Sequence, residues 1–348
     1  MLSFIVFALA FAASSALTIV PLSSADANGA AYRVNTTSRI YIVSNSPQDV
    51  LQRITIKTDL GSNANAYTLS VPQADGSLTP LIPSQNSDLL SVEVTGTNDA
   101  TGWLYIDSIT PNLNVFPILE NSSISFKQGT NVFFKMSSPA GKIPVAQNVV
   151  IGKNQVLNGF VGLPDSKDMV QFFDSDSIEG LTNYDQLELP MDMFHFTSNS
   201  ADIKYEITYA ARKGITIGSS GLLMTDSFPT GTFGTNDYDL NNSKGVNVDS
   251  IFIPRVDKTH VYAGNITVFM TPATQDPTVF PMFSNADANY TSNSPMSRIV
   301  VEADGPYSIQ YFLRDTSITS PSPVESTTKT SSIPQIIASL LVAAVLRF

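Results

Sequence analysis

The 348-residue chain contains no cysteine. That absence excludes a disulfide framework, a thiolate nucleophile and zinc–thiolate sites together, so the folded body must be held by burial alone. Histidine is nearly missing too, with only His195 and His260 present. His195 lies in the apolar run Met191-Asp192-Met193-Phe194-His195-Phe196, which predicts a structural role, and His260 in Lys258-Thr259-His260-Val261 reads as a strand-edge residue. A histidine without a neighbouring nucleophile or second ligand has no partner to work with. Positive charge is scarce: 19 Lys and Arg stand against 30 Asp and Glu, for a net charge of −11. That balance argues against nucleic acid, whose phosphates demand a basic patch. No Gly-x-Ser-x-Gly elbow, His-Glu-x-x-His helix or phosphate loop occurs. The expectation is a protein that is not an enzyme, with no catalytic residue, no cofactor and no metal.

Long apolar runs are also lacking, since about 20 residues are needed to cross a bilayer. The two nearest approaches sit at the ends of the chain. Met1–Ala16 has an uncharged apolar core from Leu2 to Ala13, then Ser14-Ser15-Ala16 with small residues at the −3 and −1 positions, and predicts a secretory signal peptide. Near the C-terminus, Ile336–Leu346 is only 11 residues long. The small triplet Ser326-Thr327-Thr328, a polar spacer and the apolar residues 333–348 follow the order of a glycolipid (GPI) attachment signal, with Ser326 the favoured site. Arg347 is an unusual charge for such a tail. The Ser/Thr/Pro-rich residues 316–332 have too little apolar content to pack and read as a stalk. The chain is therefore expected to be secreted and tethered to the outer leaflet of the plasma membrane.

Between these ends, period-two alternation of Val, Ile, Thr, Phe and Tyr dominates, and Gly, Pro, Asn and Asp clusters punctuate it. The alternation predicts strands at 39–43, 51–58, 66–71, 89–95, 103–107, 123–126 and 132–136 in the first half. In the second half it predicts them at 149–151, 169–173, 193–196, 203–209, 215–217, 251–253, 266–271, 298–302 and 308–313. No amphipathic helix of three turns is found. The fold class is all-β, of sandwich or barrel type.

A repeated order of motifs suggests duplication. Trp103–Ile106, Thr110-Pro111, Val115-Phe116-Pro117, Ser123–Phe126, Gly129 and Val132–Phe134 are echoed by Ile266–Phe269, Thr271-Pro272, Val279-Phe280-Pro281, Arg298–Val301, Gly305 and Ser308–Phe312. Each copy reads as strand, Thr-Pro turn, Val-Phe-Pro and a closing hairpin. With a boundary at the small and proline-rich residues 138–144, this predicts a first β-sandwich at 17–139 and a second at 145–315.

Arg298-Ile299-Val300-Val301-Glu302-Ala303-Asp304-Gly305 and Tyr307-Ser308-Ile309-Gln310-Tyr311 are similar to the last strand pair of CUB domains, with Ser123–Met136 as a weaker first copy. Together with the signal peptide, the stalk and the tail, the chain resembles the CUB-like secreted proteins of nematodes, many of which carry a cysteine pair that is missing here. The resemblance implies two jelly-roll CUB-like β-sandwich domains in tandem and an extracellular role in responses to microbes, that is, in innate immunity.

Candidate sites are few. Five Asn-x-Ser/Thr sequons occur, about the number chance supplies; Asn35, Asn121, Asn241 and Asn289 are the expected N-glycosylation sites, while Asn265 begins a strand. Asp174-Ser175-Asp176 with Glu179 has Ile178 at a ligand position and Gly180 one place late for a calcium loop, Asp237-Tyr238-Asp239 has Val248 where the closing Glu should stand, and both clusters read as solvated acids. Trp103, the sole tryptophan, is expected in the core, or as a stacking platform for a sugar if exposed. The functional expectation is a non-enzymatic cell-surface binding, adhesion or host-defence protein with an extracellular protein or glycan as partner. The alternative is a carbohydrate-binding or carbohydrate-active protein using loop carboxylates and aromatics.

Overall fold

The computed structural model describes residues 17–25, 31–32, 34–58, 63–84, 90–94, 99–120, 124, 127–164, 169–226, 228–229, 234–256, 263–273, 275–283 and 289–316. The expected signal peptide, most of the stalk, the tail with Ser326, Asn121 and His260 lie outside them. Seven strands come first: β1 (Leu17–Pro21), β2 (Ala31–Tyr32), β3 (Arg39–Val43), β4 (Ile54–Thr58), β5 (Asn63–Asn65), β6 (Leu90–Val94) and β7 (Trp103–Asp107). They form sheet I, in the order β2-β6-β4-β5, and sheet II, in the order β1-β7-β3. The next eight are β8 (Leu113–Ile118), β9 (Gly129–Lys135), β10 (Ile143–Val150), β11 (Leu157–Val161), β12 (Gln171–Asp174), β13 (Asn183–Glu188), β14 (Met193–Ser198) and β15 (Lys204–Ala210). The last eight are β16 (Ser220–Met224), β17 (Gly234–Asp239), β18 (Val248–Val256), β19 (Ala263–Met270), β20 (Thr278–Phe283), β21 (Tyr290–Ser294), β22 (Met296–Ala303) and β23 (Tyr307–Asp315). Sheet III runs β12-β11-β14-β9-β8, sheet IV runs β15-β10-β13-β16-β23-β18-β21, and sheet V runs β17-β22-β19-β20. The all-β expectation is met, and among the described residues no helix is long and apolar enough to cross a membrane.

Side-chain alternation arranges these sheets as five layers around four cores. In sheet II, Ile40, Ile42, Leu104 and Ile106 meet Ile54 and Ile56 of sheet I, while Tyr41, Val43 and Tyr105 point the other way, onto Val115, Val132 and Phe134 of sheet III. In sheet III, Phe116, Phe133, Phe194 and Phe196 turn to the next core, against Tyr184, Leu187, Leu222 and Met224 of sheet IV. Leu223, between the last two, faces Ile266, Val268, Ile299 and Val301 of sheet V. Strands buried on both faces lose alternation and become apolar runs, as in Ile40–Val43, Leu104–Ile106 and Val132–Phe134. Outer strands keep it: β17 alternates half-buried and exposed residues along its length.

The last eight strands, counted one to eight, lie in the orders 1-8-3-6 and 2-7-4-5 within sheets IV and V. Strands β9–β15, counted two to eight, repeat both orders, as 8-3-6 in sheet IV and 2-7-4-5 in sheet III. The place of their missing first strand, beside β15, is held by Ile124, which bridges Ile207. One parallel seam, Gln186↔Gly221 and Leu187↔Leu222, joins the two sets in sheet IV.

Several expectations are corrected. Residues 66–71 form a single helical turn, Ala66–Ser70, because the Asn65 side chain caps Tyr67 N at 2.8 Å and places Ala66 and Leu69 on one buried face. Residues 215–217 enter a turn closed by Ser219 N donating to the Thr216 carbonyl. Of 123–126 only Ile124 is described. The two proposed motif copies do not share pairing: β7 and β8 belong to different sheets and β8 runs parallel to β9, whereas β19 and β20 form an antiparallel pair. The expected closing hairpin 298–312 is split, β22 in sheet V and β23 in sheet IV. The Thr-Pro turns differ as well. Buried Asp107 accepts from Thr110 N (2.8 Å) and Thr110 Oγ1 (2.6 Å), while Thr271-Pro272 is a cis peptide. The expected boundary at 138–144 starts in the link after β9 and runs into the first residues of β10, and β9 pairs along its length with β14 beyond that boundary.

Candidate functional site

Sheet IV has seven strands and sheet III five, so the cover runs out before the far edge of sheet IV. The last cover is the turn after β12, tied down by Arg255 of β18, whose Nη2 donates to Ser177 Oγ at 2.6 Å and lies 3.7 Å from Asp174. Beyond it lies an open cleft of about 490 Å³. Strand periodicity supplies its floor from three adjacent strands: Asp249 and Ile251 of β18, Phe312 and Arg314 of β23, and Thr291 and Asn293 of β21. Residues Ile178–Leu181 form its wall. Arg314 Nη2 donates to Asp249 Oδ2 at 2.6 Å, and the Asn293 amide donates to the other carboxylate oxygen. Hydrogen bonding by Arg314 holds the Asp249 carboxyl below its usual range. The floor thus offers a balanced ion pair, an amide and a hydroxyl beside apolar Ile251 and half-buried Phe312.

A second polar cluster sits at the sheet IV seam around the buried Glu188. Glu188 Oε2 accepts from Arg212 Nη1 at 2.5 Å, the same guanidinium donates to the Met224 carbonyl at 2.7 Å, and Arg212 Nη2 reaches Asp226 at 2.5 Å. Burial outweighs the attraction of Arg212, and the Glu188 carboxyl is pushed up to about 7. A carboxyl whose folded value lies above its unfolded one binds more protons when folded, so its contribution is complete below the unfolded value and is lost as pH rises through about 7. Glu188→Gln should therefore flatten the pH dependence of urea unfolding between about 4.5 and 7, gaining up to about 3 kcal/mol over the parent at high pH. An unchanged pH profile in the variant would remove Glu188 as its cause.

The residues singled out by sequence disperse. His195 is buried and stacks on Phe160 at 5.2 Å; its Nδ1 lies 2.8 Å from the Gly162 carbonyl, which only accepts, so Nδ1 carries the proton. Burial lowers its pKa, favouring the neutral ring. Trp103 is half-buried and packs with Leu17, Ile19, Met136 and Met193 on the core between sheets II and III. Asp237 and Asp239 lie on β17 rather than in a loop, and Asp237 is gripped by Arg298. Among the described residues no group of three or more His, Cys, Asp or Glu could hold a metal ion. Of the first acidic cluster only Glu179 reaches the cleft. Asn35, Asn241 and Asn289 are exposed; the Asn35 side chain accepts from Thr37 Oγ1 at 2.6 Å, and Asn241 sits in a turn at φ 54°.

Asp249, Asn293 and Arg314 escape a reading of sequence because they are far apart in the chain and meet only through strand order. Glu188 did leave a trace, as one acid between Leu187 and Leu189. No protein-family model matches the chain, and neither does any curated protein.

Proposed function

We propose that the chain is a non-enzymatic, secreted glycoprotein of the cell surface, tethered by a GPI anchor near Ser326 to the outer leaflet of the plasma membrane, that binds or adheres to an extracellular partner in a host-defence role. The observation that carries this reading is the open cleft, whose floor comes from three strands of a sheet the neighbouring layer leaves uncovered. Rigid strands position such a surface, and it offers polar contacts without an enclosing wall. The two matching strand orders support tandem jelly-roll sandwiches, and the CUB-like type rests on the sequence resemblance of residues 298–311, which the fold divides between β22 and β23 of two sheets. That assignment sets the sandwiches at about 124–210 and 220–315, behind a further β-unit.

A second reading, a carbohydrate-binding protein, is favoured by the Asp249–Asn293–Arg314 hydrogen-bonding set beside Phe312. Glycosidase chemistry is disfavoured there, because a general acid needs a raised pKa and Asp249 has a lowered one.

Cells expressing the full chain are expected to display it and to release it on treatment with phosphatidylinositol-specific phospholipase C. Released protein applied to a glycan array should bind sugars, and lose them on Arg314→Ala, only under the second reading. Cell binding that is lost in the same variant without array binding favours a protein partner. Surface protein that resists the lipase rejects the anchor, and cell binding unaffected by Arg314→Ala rejects the cleft.

A further inference from the structure

An edge strand presents unpaired main-chain N–H and C=O groups that template association with another chain, and folded proteins guard such strands with charge, proline, shortness or cover. In sheets I and II the described edges obey this rule: β2 and β5 are two and three residues long, β1 ends in Pro21 and β3 opens with Arg39. Sheet III has Asp174 on β12 and Pro117 within β8; sheet V has Asp237 and Asp239 on β17 and Pro281 within β20. In sheet IV, β15 carries the exposed Glu206. The opposite edge of that sheet is β21, Tyr-Thr-Ser-Asn-Ser, with no charge and no proline. Among the described residues it is the terminal strand of the longest sheet, and Thr291 and Asn293 are exposed on it.

The residue immediately before β21 is Asn289, exposed, and it opens the sequon Asn289-Tyr290-Thr291. Period two puts position 289 on the same face as Thr291 and Asn293, the face of the cleft. We infer that an N-linked glycan on Asn289 is the guard of the β21 edge and keeps the body monomeric. This rests on the secreted reading above, which supplies the donor, a lipid pyrophosphate-linked oligosaccharide. The Asn289 Nδ2 forms a bond to the sugar C1, the C1–O bond to the pyrophosphate breaks, the lipid pyrophosphate leaves, and the amide gives up one proton. A hydrated branched sugar on the residue that leads into β21, an edge that is bare among the described residues, excludes a second strand by bulk, where the other edges use side-chain charge or a missing N–H.

The test uses the full chain made in a secreting eukaryotic host and released from the membrane. Peptide N-glycosidase F in ¹⁸O-water, followed by peptide mass spectrometry, should show heavy-oxygen labelling at position 289. By sedimentation the glycosylated protein should be monomeric. Asn289→Gln, and Thr291→Ala, which removes the sequon and keeps Asn289, should both show a concentration-dependent doubling of mass. Adding Asn293→Lys to Asn289→Gln should restore the monomer by charging the edge. Absence of labelling at Asn289, whether or not Asn35 or Asn241 is labelled, would overturn the inference and leave secretion standing, whereas a chain retained inside the cell would overturn the secreted reading. A fully labelled site whose two variants both stay monomeric would overturn the guarding role.

Discussion

Severed between Pro139 and Val145, the chain is expected to give two fragments of which neither folds throughout: the strands that pair across the cut are lost from both, and only the last eight strands of the longer fragment keep a core of their own. The cut separates β9 from β14, its partner over six register pairs from Gly129↔Ser198 to Met193↔Phe134. It also divides one core. Phe116, Ile118 and Phe133 come from the first fragment, while Phe172, Phe194, Phe196 and Tyr184 come from the second. Phe133 stacks on Phe194 with ring centroids 5.1 Å apart, so each fragment loses rings that the other buries. Burial of one such side chain contributes about 1.5–3 kcal/mol. Losing several exceeds the roughly 5–15 kcal/mol that separates a folded domain from its unfolded chain. A fragment spanning Ser219 to Thr316 should behave differently. It keeps all eight strands of the last set and, apart from Ile215 and Ile217, the core between sheets IV and V; it loses the β13 neighbour of β16 and the bonds of Arg255 and Gln310 to Asp174, Ser177 and Tyr184. Circular dichroism and urea unfolding of the three fragments decide the matter: cooperative unfolding of both Leu17–Pro139 and Val145–Thr316 would sink the expectation.

The same geometry explains what the sequence could and could not convey. Strand existence was legible wherever hydrophobic side chains fall at regular intervals, and β3 and β7 were found at the residues the structure gives. Strands without that signal were missed. Ser220–Met224 is buried throughout and shows no alternation, and β8 and β20 carry prolines that their edge positions tolerate. The duplication was misaligned for a related reason. Thr-Pro and Phe-Pro recur at strand ends whatever sheet the strand joins, so the motifs matched while the ladders did not. In the strand orders, β22 and β23 correspond to β14 and β15, Met193–Ala210, a segment that shares no Pro punctuation with them. The cleft was out of reach in principle. Asp249 and Arg314 are 65 residues apart, and only the placement of β23 beside β18 brings them together.

The seam that joins the two strand sets depends on one glycine. In sheet IV, Gly221 lies opposite Gln186, and a Cβ at position 221 would stand 2.2 Å from the Gln186 carbonyl oxygen. This oxygen belongs to the backbone of β13, which is fixed on its other side by β10, so it cannot give way as a flexible side chain would. The rest of the seam is made around that contact. At one end Ser220 N donates to Asp185 at 2.8 Å and Ser220 Oγ to the Asn183 carbonyl at 2.9 Å. At the other, Arg212 ties Glu188 of β13 to Met224 of β16. Gly221→Ala is therefore expected to open the pairing and cost about 3 kcal/mol, the upper range for forcing an added carbon into a packed site. Because each strand set keeps its own core, the loss should also appear as a change in form: calorimetry of the variant should resolve two transitions where the parent couples them. Gly214→Ala is the control, since a Cβ there meets nothing within 4 Å, and it should stay within about 0.5 kcal/mol of the parent. If Gly221→Ala melts as the control does, in the same number of transitions, the seam does not couple the two strand sets.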